Sequence, residues 1–382
     1  MKVEYLIAAA DFVLTGGMDR ANFALADYLA RSGRLVHLVA HRVADELRAH
    51  PNVTFHRVPK PADAYALGGP LLGSAALARA VGVARRGGIV VANGGNCPFP
   101  GVNWVHYVHA AYVPQLGGLR SLKSRALHQL HTRSERIALR AAKAVVANSE
   151  RTRMEIIHRL GVREERVRTI YLGIDASRFR PPRPEERSRA RQMLGWLDER
   201  PRVVFVGALG DRRKGFDVVH AAWRKLCATS SWDAELVVVG RGAELPVWRE
   251  RAVQEGFGGR VSFLGFRQDV DRILAAADAL VAPTRYEAYG LGVHEAICCG
   301  LPALVSATAG IAERYPADLR TLLLEEPESA KGLAESLLQW RREMSDRKDR
   351  VAPFADELRS RSWDDMAKDI ASWAELGDSL DG

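Results

Sequence analysis

Short apolar runs rich in Val, Ile and Leu recur from end to end of the chain, with stretches of helical pattern between them. The first half holds "KVEYLIA", "LVHLVAH", "VTFHRVP", "GIVVAN", "VNWVHYVH", "KAVVANS" and "VRTIYLG"; the second holds "RVVFVGAL", "AELVVVG", "RVSFLGF", "ADALVAPT", "PALVSAT" and "RTLLLEE". They are apolar nearly throughout rather than alternating, as strands covered by helices on both faces must be, and the intervening segments are long enough for crossover helices. This predicts an α/β fold of two doubly wound, Rossmann-like units. At 382 residues the chain also exceeds the length at which one core keeps growing. The segment "DASRFRPPRPEERSRARQMLGWLDERPR", dense in proline and charge, puts the link near residue 180, giving domains 1–178 and 179–360. A ligand cleft between the domains is expected, since the carboxyl ends of both sheets can face one gap. The tail "RSRSWDDMAKDIASWAEL" reads as an amphipathic helix whose stripe of Trp363, Met366, Ile370 and Trp373 serves packing.

A content of 47% hydrophobic and 26% charged residues is that of a globular chain, and no apolar run approaches the ~20 residues of a membrane span. Glu4 and Asp11 interrupt the N-terminal apolar stretch, and the alternation of Val3, Tyr5 and Ile7 suits a strand rather than a signal peptide. Cys97, Cys227, Cys298 and Cys299 show neither a metal-binding spacing nor a pairing framework, which predicts reduced thiols in the cytoplasm and no metal site. The net charge of +9 calls for an anionic partner, and charge alone does not choose among nucleic acid, acidic lipid and phosphorylated substrate. Basic residues concentrate in a predicted helix over 119–143, where Arg120, Lys123, Arg125, Arg133, Arg136, Arg140 and Lys143 meet one acid, Glu135, with leucines and Ile137 interleaved. Such a helix docks on an anionic membrane surface or is an ordinary packed helix with a solvated basic face.

Three loops carry the chemistry. Gly16 and Gly17 follow the first strand and open a helix, where bare backbone and unpaired N–H groups favour an anion; a plain strand-to-helix turn is the alternative, and the absence of GxGxxG disfavours a nicotinamide cofactor. "FVGALGDRRKGFDVV" places Arg212, Arg213 and Lys214 after a strand, a point charge and two forks suited to a pyrophosphate, or else a solvated basic turn. "RYEAYGLGVHEAICCG" then sets Glu287 and Glu295 about a glycine-rich helix start. Amides of Tyr289 to Leu291 suit anionic oxygens, whereas the carboxylates suit hydroxyls. A ligand that has both is a nucleotide sugar.

The Glu287–Glu295 spacing, E-x7-E, in "PTRYEAYGLGVHEAICCGLPALVSATAGIAE" resembles the donor-site signature of retaining glycosyltransferases of the group-1 type, glycosyltransferase family 4. The likeness covers nearly the whole chain, through the Gly16-Gly17 loop, "VVANSERTRMEII", "IYLGIDASRF", "VGALGDRRKGFD", "VVVGRG", "VSFLGFRQDV" and the terminal "SW" helix. It implies the GT-B fold, with the helix over 361–376 packing back onto the first domain. It implies that Glu295 binds the ribose and Glu287 the transferred sugar, with Ala288, Tyr289, Gly290 and Leu291 around sugar and phosphate. Arg213 and Lys214, with Gly207 and Arg212 beside them, match the pyrophosphate-binding pair, and the backbone near Phe266 lies by the base. His109 matches a histidine that faces the donor sugar, although the neighbouring His106 competes for that role and either could be a core histidine. Two positions depart from the pattern: Ala208 follows Gly207 where many relatives carry arginine, and Leu172 stands where asparagine is frequent.

The implied reaction moves a hexose-type sugar from a UDP- or GDP-linked donor to an acceptor hydroxyl, in polysaccharide, glycolipid or glycoconjugate synthesis, without cofactor or metal. The acceptor region around Asp19, "GGNCPFPG" and Tyr112 spells out no acceptor. A sugar-nucleotide epimerase of the same fold would need proton-abstracting acids that nothing marks. A non-catalytic sugar-nucleotide or nucleic-acid binding protein would not need Lys214, Glu287 and Glu295 together, and the basic residues lack the interleaved aromatics of a single-strand platform. No nucleic-acid partner is expected.

Overall fold

The computed structural model describes residues 3–115, 120–210 and 212–379, with the side chains of 120–123 and 377–379 outside the description. Two compact units emerge. The first takes the chain up to Val113, continues from the basic helix to Gly173, and takes it up again at Arg361; the second is built on Ile174–Ser360.

In the first unit the strands are β1 (Glu4–Ala8), β2 (Asp11–Phe12), β3 (Leu35–Ala40), β4 (Arg42–Val43), β5 (Val53–Arg57), β6 (Ile89–Asn93), β7 (Val102–Val105), β8 (Ala144–Ala147) and β9 (Val167–Thr169). Its helices are α1 (Gly17–Arg31), α2 (Asp45–Arg48), α3 (Tyr65–Arg85), α4 (Arg120–Ala141) and α5 (Glu150–Leu160). The sheet runs β5-β3-β1-β6-β7-β8-β9, all parallel, while β2 and β4 pair separately. The second unit holds β10 (Arg202–Val206), β11 (Glu235–Val239), β12 (Val261–Gly265), β13 (Ala279–Ala282), β14 (Ala303–Ser306) and β15 (Leu323–Leu324). Around them stand α6 (Pro184–Met193), α7 (Phe216–Cys227), α8 (Leu245–Gln254), α9 (Val270–Ala276), α10 (Leu291–Cys298), α11 (Ala330–Arg342) and α12 (Met344–Arg359). Its parallel sheet is ordered β12-β11-β10-β13-β14-β15. In both sheets the chain winds outward from a central strand and then reverses, so each has a switch point, between β1 and β6 and between β10 and β13, where open α/β sheets bind ligands. Central strands such as "AVVA" of β8 and "ALVA" of β13 are buried at every position, the burial that their unbroken apolar sequence implies.

The last helix, α13 (Trp363–Ser379), packs on α1 of the first unit. Tyr5 and Arg34 both donate to Glu375, each at 2.9 Å, and Arg31 donates to Asp364 at 2.6 Å. Inward, Met366, Ala367 and Ile370 are buried.

One expectation needs correction. Helix α3 has 21 residues and contains an 18-residue stretch with a mean hydropathy of 1.3, enough by length and composition to cross a membrane. Four glycines and Pro70 dilute its apolar run in the sequence. Gly68, Leu72, Ala76, Ala80 and Val83 form its buried stripe, and it packs against β1 and β6. The opposite face is open, with Leu67, Leu71, Leu77 and Val81 exposed, so α3 lies on the sheet by one stripe only.

Candidate functional site

At the switch point of the second unit two loops are stapled together. After β10, Gly207 donates its N–H to Val239 O at 2.9 Å, and Gly240 at the end of β11 lies so close that a Cβ there would stand 1.8 Å from Gly207 O. Further along, Gly215 has φ +72° and caps α7; a Cβ on it would stand 1.9 Å from Pro283 O, in the loop after β13. Only glycine suits both the angle and the approach.

Arg285 is the clamp between these loops. Its N–H donates to Arg213 O at 2.8 Å, and its guanidinium donates to Arg212 O at 2.6 Å and to both Asp217 oxygens at 2.8 and 2.7 Å. A further N–H meets the exposed Glu328. Arg212 is thereby held at φ +56°, left-handed for a residue with a Cβ, and its side chain is exposed. Sequence reasoning passed over Arg285 because its partners lie 68 and 73 positions away.

The clamp brings Lys214 onto Glu287. The two form an ion pair, each about one-fifth exposed, and the Arg213 guanidinium stands 4.0 Å from the same carboxylate while donating to Tyr286 O at 3.2 Å. A Cβ on Gly207 would lie 3.1 Å from Lys214 Cγ, so Gly207, Arg213, Lys214 and Glu287 are neighbours. Helix α10 starts beside them, capped by Gly290 at φ +112°. The carbonyls of Glu287 and Tyr289 accept from Gly310 and Ile311 at 3.0 and 2.6 Å, which fixes the loop through Ala288. In the first turn of α10, the N–H groups of Leu291 and Gly292 have no acceptor among the described residues, as helix starts dictate. The Tyr289 ring is buried and its hydroxyl pairs with His294 Nδ1 at 2.8 Å, so its side chain is engaged within the fold. Glu295 is nearly buried within α10, and Arg178, bound to Asp271 at 2.6 Å, acts on it electrostatically. Phe266 follows β12 with half its surface exposed, and the Arg241 guanidinium lies 5.0 Å from its ring centre.

Gly16, Gly17 and His109 belong to the first unit. Gly16, at φ +91°, caps α1 directly after the β1–β2 segment. Asp19 in that first turn is pushed up to about 6 by burial and by the Asp11 charge. His109 opens a 3-10 turn after β7, its ring stacked on His131 at 5.0 Å and edge-on to Tyr107 at 4.8 Å. Burial lowers it to about 4, so it is neutral at physiological pH. His106 sits against Trp104 at 4.2 Å, and its Nε2 is buried without a partner among the described residues.

On α4, residue 119 and the side chains of Arg120, Leu122 and Lys123 lie outside the described residues. Beyond them Leu130 and Ile137 are exposed among exposed Arg133, Arg136 and Arg140, while Glu135 is fully buried. Among the described residues no cluster of His, Cys, Asp or Glu is arranged to hold a metal ion, and all four cysteines are unpaired.

Residues 15–178 match the family model "Glycosyltransferase Family 4", and residues 200–342 match "Glycosyl transferases group 1". The chain belongs to this glycosyltransferase family. An uncharacterized glycosyltransferase of Methanocaldococcus jannaschii is 26% identical, over 70% of this chain and 68% of that protein. The GDP-mannose-dependent monoacylated alpha-(1-6)-phosphatidylinositol monomannoside mannosyltransferase of Corynebacterium glutamicum is 33% identical over 44% of this chain, which spans 45% of that enzyme's length. Solved glycosyltransferase structures share the GT-B fold along nearly the whole chain. HepE of Anabaena, solved in complex with UDP-glucose, superposes with a TM-score of 0.71 at 19% identity, covering 98% of this chain and 99% of its own.

Proposed function

We propose that the protein transfers a hexose-type sugar from a nucleoside-diphosphate sugar to an acceptor hydroxyl with retention of anomeric configuration. The observation that carries this reading is the meeting of Lys214, Arg213 and Glu287 with the open N–H groups of α10 at the switch point of the second sheet. Anion donors and a hydroxyl acceptor stand side by side there, which is what a sugar diphosphate requires. Similarity to a GDP-mannose-dependent mannosyltransferase and to a fold neighbour solved with UDP-glucose supports the donor class.

On this reading Lys214, Arg213 and the amides of Leu291 and Gly292 hold the pyrophosphate, with exposed Arg212 at its edge. Glu287 and the backbone from Ala288 to Gly290 hold the sugar, Glu295 the ribose, and the segment at Phe266 the base. Gly16, Gly17 and His109 carry the family's donor roles from the first unit. The bond between the anomeric carbon and the phosphate oxygen breaks, its electron pair leaving with the diphosphate. The acceptor oxygen bonds to the same face of the sugar, and its proton passes to the departing phosphate. Glu287 is engaged by Lys214, so it serves binding rather than covalent attack. Fixed positive charge at the leaving group supplies the catalysis, commonly worth ~3 kcal/mol per donor group, and this mechanism calls on no metal or cofactor.

The exposed apolar and basic face of α4 supports docking on an anionic membrane surface, and the unpaired cysteines favour a cytoplasmic location. The decisive experiment is donor hydrolysis over a panel that includes GDP-mannose and UDP-glucose, with the anomer of the product read by NMR. Turnover of one donor with retention is expected; no turnover across the panel, or inversion, refutes the reading.

A further inference from the structure

Glu135 is an acid without an evident reason in the sequence, the one carboxylate in a basic helix. In the structure its side chain is fully buried and reaches out of α4 to the turn after β7. One oxygen accepts the N–H of His109 at 2.9 Å and the other the N–H of Ala110 at 3.3 Å. The helix is also held from another side, by the turn after β6 (Gly94–Asn96), because Gly95 packs so closely that a Cβ there would lie 3.1 Å from the Glu135 amide nitrogen. Burying a carboxylate is expensive, and a buried amide or apolar side chain would be the cheaper choice unless two donors had to be met at once.

We propose that Glu135 is a positioning residue for the transfer reaction, holding the His109 backbone, and through it the His109 ring, in the working geometry. The inference rests on the role given to His109 in the proposed function. Only an ionised carboxylate offers an acceptor to both N–H groups; a protonated one gives up one of them. Burial pushes Glu135 up to about 7, against the two backbone donors, with Glu155 of α5 raising it further and Arg136 of α4 lowering it. Other titratable groups at the turn are His109 itself, held neutral by burial, Tyr107 edge-on to its ring, and His128 and His131 on α4. The grip on His109 therefore tightens as pH rises through about 7.

The test measures hydrolysis of GDP-mannose and UDP-glucose by the full-length protein against pH, using whichever donor is turned over. In Glu135→Gln, kcat falls about 10- to 100-fold while the donor KM stays within about threefold. The loss of kcat that the parent shows on acidification below about pH 7 is absent from that variant. In a His109→Ala background the same substitution costs less than about twofold, because the group it positions is gone. Should the glutamine variant fail to fold, Glu135→Asp, which keeps the charge but withdraws the oxygens, is expected to lower kcat and retain the pH dependence. Parental kcat in either variant, or an equal loss with and without His109, overturns the inference. A parent protein that hydrolyses neither donor refutes the proposed function, and this inference falls with it; normal parental turnover with an indifferent Glu135 refutes the inference alone.

Discussion

The Arg285 guanidinium grips both oxygens of Asp217, at 2.8 and 2.7 Å, and so ties the loop after β13 to the first turn of α7. Neither residue is placed against the ligand on the proposed reading, yet the position of Lys214 between them in the fold depends on this pair. Arg285→Ala removes two charge-assisted bonds to Asp217 and one to the Arg212 carbonyl, each worth ~1.5–3 kcal/mol. Donor KM is expected to rise at least about tenfold, and Arg285→Lys, which keeps the charge and loses the fork, should fall between parent and alanine. Steady-state kinetics with the identified donor check this.

Lys214→Ala and Glu287→Gln act on the site itself. Loss of the lysine should lower kcat about 10²- to 10³-fold, the usual cost of removing one preorganised charge from a developing anion. Glu287→Gln should weaken turnover as well, since it also frees Lys214 from its partner. Parental rates in either variant, measured with the identified donor, would take these residues out of the site.

Gly215→Ala places a methyl 1.9 Å from the Pro283 carbonyl at a backbone φ of +72°. The loops must separate, at a cost of ~3 kcal/mol or more. Urea denaturation should show the loss, and donor affinity should fall with it.

Acid should destabilise the fold through buried histidines. Burial lowers His106 and His294 to about 3 and His109 to about 4, all below the ordinary 6.5. Their contribution is full above pH 6.5 and is lost as the pH falls toward the folded values, because the unfolded chain takes up the protons. Between about pH 7.5 and 5 each costs roughly 2 kcal/mol. Glu135 has the opposite sign: raised to about 7, it contributes below the ordinary carboxylate value and loses that contribution as pH rises through about 7. His106→Phe should flatten the acid side of a stability-against-pH curve measured by urea denaturation.

Leu130 and Ile137 stand 62% and 52% exposed, one above the other on α4. If this face docks on anionic lipid, Leu130→Glu should release the protein from phosphatidylglycerol vesicles in a sedimentation assay while leaving donor hydrolysis in solution unchanged. Equal retention of variant and parent would exclude the docking.

The doubly wound sheets were legible because a strand buried on both faces writes its burial directly into an unbroken apolar run, as in "AVVA" and "ALVA". The glycine loops were legible for a similar local reason: bare backbone at a strand end advertises close approach. Arg285 and Glu135 were not. Each looks like a surface charge in its own neighbourhood, and its meaning comes from partners that the topology supplies, 68 positions away for Arg285 with Asp217 and 26 for Glu135 with His109. Helix α3 misled in the opposite direction. Its glycines and Pro70 break up the apolar run, while Ala76 and Ala80 pack with Leu6, Ala8, Val90 and Ala92 of β1 and β6.

Helix α13 belongs to the first unit although the whole second unit separates it from the rest in the chain. During synthesis, therefore, the first lobe emerges from the ribosome lacking a wall, with the surface of α1 that receives α13 bare until that helix arrives. The second lobe, built on the stretch Ile174–Ser360, is synthesised before α13 and is free to mature earlier, reversing the usual order of vectorial folding. Nascent chains halted before Arg361 should depend on chaperones in a way that the finished protein does not.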